Sequence, residues 1–220
     1  MTLAITSGAT DAVAFLELGG AFTSVMTGNL VLLGVSLGRA DGVLARQIGF
    51  AVVGYIAGVA VGVRMVGRSI PGDPVWPPAV TRGLIVESGL FVAYAAGWRA
   101  VGGHPRGAVT TAGLLALAAF ALGVQAAAVK RFGVSGLSTT YLTGTLTTLV
   151  TRLAGGGRLR DVARHLALLV ALVLGAAATG LLLALDAPGF IPLVQLAPLA
   201  IAIAMAGLAR RQPAADKQGR

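Results

Sequence analysis

The chain has 220 residues, 56% of them hydrophobic and 11% charged, with a formal net charge of +9. Soluble domains carry about 25% charged residues, so a water-soluble fold is excluded, and the glycines lie scattered among Leu, Val and Ala rather than in a collagen period. There is no cysteine, hence no disulfide and no thiolate metal site. The Lys and Arg residues sit in short clusters between apolar runs, which orients membrane helices and does not build a nucleic-acid surface.

Eight apolar segments follow one another, at about 3–18, 22–38, 43–63, 79–98, 108–129, 138–153, 162–185 and 190–209. A crossing takes roughly 20 residues. The third, fourth, fifth, seventh and eighth segments reach that length, and the second and sixth fall short. The first is read as part of the fold rather than a cleaved signal, because no basic stretch leads into it. It holds two carboxylates, Asp11 and Glu17, of which Glu17 beside Gly19-Gly20 suits the interface.

The second segment contains FTSVMTGNLVLL, Phe22 to Leu33, and the sixth contains STTYLTGTLTTL, Ser138 to Leu149. Their Thr-Gly pairs, Thr27-Gly28 and Thr143-Gly144, lie 116 residues apart, about half the chain. A duplication follows, with one repeat at about 1–101 and the other at about 108–210. In the sixth segment Thr139, Thr143, Thr147 and Thr151 recur at four-residue spacing, one hydroxyl stripe on a helix. Gly beside Thr either admits another backbone or breaks the helix. Broken helices at a repeat interface point to a transporter's binding site. Ser, Thr and Gly also serve ordinary helix packing in membranes. Both readings stand at this level. The candidate solute-lining residues are Thr23, Thr27, Gly28, Asn29, Gln125, Thr139, Thr143, Gly144 and Thr145.

The third segment carries Gly54, Gly58 and Gly62, a small-residue ridge suited to helix packing, within the chain or in a homo-oligomer. Pro71, Pro74, Pro77 and Pro78 break the loop that follows. The fourth segment holds Glu87, which with Asp11 has no basic partner at helical spacing. Buried acids mark ion or substrate pathways, and a proton or a cation would neutralise them. Both are candidates for proton or cation coupling. Gly155-Gly156-Gly157 lacks the Lys-Ser or Lys-Thr of a phosphate loop. His104 and His165 stand alone, so no metal site or cofactor is expected. No nucleophile–base pair or paired-acid motif is evident, and an enzyme is not expected.

The run Asp11-Ala12, Leu18-Gly19, Phe22 and Met26-Thr27-Gly28-Asn29 resembles the signature of the YoaK-like family, bacterial inner-membrane proteins of unknown function. Gly123, Gln125, Lys130-Arg131, Ser138-Thr139-Thr140 and Thr143-Gly144-Thr145-Leu146 resemble its second-half counterpart. Ala126 departs from the family's Asn after Gln, which removes a polar group there. The resemblance implies an inner-membrane location and six spans.

The expected fold is an all-α polytopic membrane protein with two internal repeats: six spanning helices plus two short Thr-Gly segments, or eight helices. With six crossings and both termini cytoplasmic, Arg39, Arg46, Arg99 and Arg106 lie outside and the other 13 of the 17 Lys and Arg inside. Eight crossings leave 12 inside, so positive charge does not separate the two. Six crossings make the repeats inverted; eight make them parallel. Two functions fit: a transporter or channel for a small solute or ion with its site between the Thr-Gly segments, or a non-transporting module that serves a partner or lipid. The expected partners are the bilayer, an unidentified small solute or ion and, through Gly54, Gly58 and Gly62, a second copy of the chain; nucleic acid is excluded by the placement of charge.

Overall fold

The computed structural model describes residues 1–67, 76–131, 142–156 and 158–211. Its elements are α1 (Thr2–Glu17), α2 (Met26–Gly38), α3 (Gly42–Val66), α4 (Pro78–Ala100), α5 (Ala108–Lys130), α6 (Leu142–Ala154), α7 (Leu159–Ala184), a 3-10 turn (Pro188–Phe190) and α8 (Ile191–Arg211). Among the described residues there is no strand. Local chemistry sets the ends. Asp41 caps α3 by accepting from the Leu44 amide at 3.0 Å, and Gly67 closes it at φ 68°. Pro78 opens α4, where a missing amide costs nothing.

Among the described residues five helices are long and apolar enough to cross a membrane: α3, α4, α5, α7 and α8. The 13 residues of α2 rise about 20 Å, short of a hydrocarbon core about 30 Å thick. The 13 of α6 fall equally short. With 16 residues α1 is marginal. It is nevertheless buried deeply along Ala4 to Ala14.

Packing fixes the directions. Leu3, at the start of α1, packs on Val66, Ala79, Val80 and Ala128, beside the end of α3. Gly19 and Gly20, just past α1, lie against Gln47 and Leu44 near the start of α3. Thus α1 and α3 are antiparallel, and α2 between them makes no crossing. Successive contacts pair Gly54 with Ala116, Gly58 with Phe120 and Gly62 with Val124, so α3 and α5 are parallel. Gly175 meets Ile5 and Thr179 donates to the Ala9 carbonyl, so α1 and α7 are parallel. It follows that α5 and α7 oppose one another and α6 makes no crossing. At the far end Trp98 donates to the Pro188 carbonyl at 2.8 Å, while Ile203 packs with Val80 and Leu84. Those contacts make α4 and α8 antiparallel. Among the described residues these directions fit six crossings, the five long helices and α1, rather than eight, with α2 and α6 making none.

The Gly54–Gly58–Gly62 ridge lies against α5. A second copy cannot use it, because the backbone of Ala116 and Phe120 already fills it. Here the oligomer expectation is corrected: spacing identifies a close-packing ridge, but not which helix covers it.

The six-crossing arrangement has a direct check. The chain lacks cysteine, so single cysteines placed at Ala40 and at Arg158 can be labelled with an impermeant maleimide. Six crossings put them on opposite faces of the membrane, and labelling from one side should reach only one. Eight crossings would expose both to the same side.

Candidate functional site

Polar residues of α1 face inward as two adjacent rows: Thr6, Ser7, Thr10 and Asp11, all buried. Spacings of three, four and five residues put them on one side of the helix, against α7 and α8. Around them the interior holds Glu87 on α4, Gln125 on α5, Thr179 on α7 and Gln195 on α8, each 0% exposed.

One chain of hydrogen bonds links three helices. Ser7 Oγ donates to Gln125 Oε1 at 3.0 Å, and Gln125 Nε2 donates to Glu87 Oε1 at 2.7 Å. The amide of Gln125 thereby relays between a hydroxyl and a carboxyl. The second oxygen of Glu87, Oε2, is buried and has no hydrogen-bond partner. A second chain runs alongside. Gln195 Nε2 donates to Thr10 Oγ1 at 3.2 Å, Thr10 Oγ1 to the Thr6 carbonyl at 2.7 Å, and Thr6 Oγ1 to the Gln195 carbonyl at 3.0 Å. The Tyr94 hydroxyl is buried beside the Gln195 side chain, within the same interior. An unpaired polar atom in such surroundings costs about 1–3 kcal/mol, so the free Oε2 of Glu87 suits a group that arrives and leaves.

Asp11 does different work. Its Oδ1 accepts from the Thr23 amide at 2.7 Å, the Thr23 hydroxyl at 2.8 Å and the Ser24 amide at 2.8 Å. Its Oδ2 accepts from the Ser24 hydroxyl at 2.5 Å. After α1 the chain reverses at Gly19 and Gly20, with φ of 98° and 78°, conformations that suit glycine. It runs back to the level of Asp11 before α2 begins. Asn29 secures the same leg, giving its amide to the Phe22 carbonyl at 2.7 Å and accepting the Phe22 amide at 2.8 Å. Phe22 stacks on Phe15 with centroids 5.1 Å apart.

The residues singled out in the sequence therefore separate. Gln125 and Glu87 meet directly, and Thr23 meets Asp11. Asn29 is buried as a clamp. Thr27 is exposed and Gly28 half-buried beside Phe22 and Val25. In α6 Thr145 is buried, whereas Thr143 and Gly144 are exposed. Thr147 and Thr148 donate back to the carbonyls of Thr143 and Gly144, so their hydroxyls serve their own helix. Thr139 lies outside the described residues. Of the candidate solute-lining residues of α2 and α6, Thr27 and Thr143 point outward and the inward positions go to Asn29 and Thr145. Nor do α2 and α6 form a principal packed pair: α2 rests on α3 and α6 on α7. Sequence reasoning missed Ser7, Thr10, Tyr94 and Gln195. Its available signal was the Thr-Ser-Thr-Asp pattern of α1, polar at helical spacing within an apolar run.

No group of three or more His, Cys, Asp or Glu that could hold a metal ion occurs among the described residues. A family model described as "Protein of unknown function (DUF1275)" matches residues 1–206. The chain is 35% identical over 153 residues to UPF0700 transmembrane protein YoaK of Bacillus subtilis (strain 168). That match covers 70% of this chain and 65% of the relative's length. No solved structure matches.

Proposed function

The chain belongs to the DUF1275 family of proteins of unknown function, and we propose that it is a bacterial plasma-membrane transporter or channel for a small solute or ion. In this reading the site is the Glu87–Gln125–Ser7 chain, and Glu87 exchanges a proton or cation. The observation that carries it is the free Oε2 of Glu87, fully buried where α4 and α5 meet α1. Ionisable groups within a membrane mark ion pathways, and leaving one ionised without a partner in a dry interior costs far more than binding a proton or cation.

A pseudo-two-fold arrangement supports the reading. Helix α1 packs on α7 as α5 packs on α3, α1 on α8 as α5 on α4, and α2 on α3 as α6 on α7. Gly8 and Gly175 sit at one crossing as Gly123 and Gly58 sit at the other. Two inverted repeats, about 1–101 and 108–210, account for every one of these pairs. Transporters built this way bind near the midplane between repeats. Glu87–Gln125 and Gln195–Thr10 then occupy equivalent places. Only one carries a carboxyl. With 13 of the 17 Lys and Arg on the side of both termini, that side is assigned to the cytoplasm.

A thermal-shift screen of purified protein against ions, nucleobases, amino acids and organic acids tests this, because a ligand bound only by the native state raises apparent stability. A hit whose effect depends on pH in wild type, and not in Glu87→Gln, is the expected result. If none of the panel shifts the wild type, the alternative of a non-transporting module for a partner or lipid takes its place.

A further inference from the structure

A cleft of about 340 Å³ lies beside Asp11, between α1, α7 and the returning leg before α2. Its walls include Ala12, Phe15, Phe22, Leu172 and Ala176, with Asp11 among the lining residues. Small-molecule sites reach this size with a mostly apolar lining and few polar groups, and this cleft is open on one side. Phe15, Leu16 and Val25 at its rim are 45%, 57% and 41% exposed on the membrane-facing surface, so an occupant enters from the bilayer.

Charge then selects the occupant. Asp11 is buried and held by four hydrogen-bond donors, and among the described residues no Lys or Arg pairs with it. Phe15 and Phe22, stacked on each other, form part of the same wall, an apolar surface on which aryl or alkyl groups pack. A hydrated metal ion gains nothing from apolar walls. We propose that this cleft binds a lipophilic organic cation, a quaternary ammonium or phosphonium bearing aryl or alkyl groups, with its charge toward Asp11. The inference concerns binding and is independent of the role given to Glu87.

Tetraphenylphosphonium and tetraphenylborate share a shape and differ in sign, which makes them the probes. Full-length protein in nanodiscs of zwitterionic lipid is titrated with each by calorimetry, as wild type, Asp11→Asn and Ala12→Phe. Ala12→Phe fills the cleft from a half-exposed position and leaves Asp11 and its donors in place. The phosphonium should bind wild type at least about tenfold tighter than either variant, and the borate should not bind. Equal binding of the two ions, or phosphonium binding to Ala12→Phe as tight as to wild type, overturns the proposal. Should Asp11→Asn fail to fold, Ala12→Phe alone decides. Glu87→Gln should leave phosphonium affinity unchanged.

Discussion

Gly58→Leu should fail to form the native bundle, or form it with stability lower by about 3 kcal/mol or more, the upper range for overpacking. A Cβ at Gly58 would collide with the backbone carbonyl oxygen of Phe120 across the α3–α5 crossing. Side chains can rotate away from such an intrusion, but the main chain of a packed helix cannot. Gly123 makes the reciprocal approach to the Tyr55 carbonyl, so the helices would have to separate along the crossing. Small residues are what permit close approach in a membrane, where apolar surface alone does not drive helices together. Thermal unfolding in detergent reads the effect. Gly89→Leu is the control, because nothing lies within 4 Å of a Cβ at that exposed position. It should unfold close to wild type, and an equal loss in both variants would show that the crossing is not what Gly58→Leu disturbs, since Leu favours a helix over Gly.

Asp11→Ala should destabilise the protein by about 3 kcal/mol or more, through loss of one acceptor that serves four buried donors. The two amides of Thr23 and Ser24 have no helix of their own to bond to, since α2 starts only at Met26. Left unpaired, each carries the desolvation cost of a buried donor. Hydrogen exchange should rise first at residues 22–25, ahead of global unfolding. Asp11→Asn keeps one carbonyl oxygen and should lose less. Protection at 22–25 unchanged in Asp11→Ala would mean that the leg is held by Asn29 and the Phe15–Phe22 stack instead.

These residues also show what the sequence could disclose. The five long crossings were legible because length and hydropathy alone define them. Gln125 and Glu87 stood out as polar groups in apolar runs, yet nothing local says that they touch, at 38 positions apart. Asp11 was recognised as costly, but its partners lie beyond a reversal set by Gly19 and Gly20, which periodicity does not encode. The Thr-Gly pairs themselves lie largely outward, with Thr27, Thr143 and Gly144 exposed. In α2, a short helix with little amphipathic contrast, local pattern does not rank Thr27 against Asn29, and tertiary packing chooses Asn29. Counting bases does not separate six crossings from eight. Among the described residues the antiparallel run of α4 and α8, a contact between the two halves, fits six.

The central claim is that Glu87 exchanges a proton or cation across the membrane, and proteoliposome flux measures it most directly. Vesicles loaded with a pH indicator receive a pH step, with sodium, potassium or the hit of the thermal-shift screen on one side. Wild-type protein should move protons faster than empty vesicles. Glu87→Gln, reconstituted at the same level and with unchanged thermal unfolding, should fall to the empty-vesicle rate. A Glu87→Gln rate equal to wild type at every pH would contradict the claim and leave Glu87 as a hydrogen-bonded packing residue.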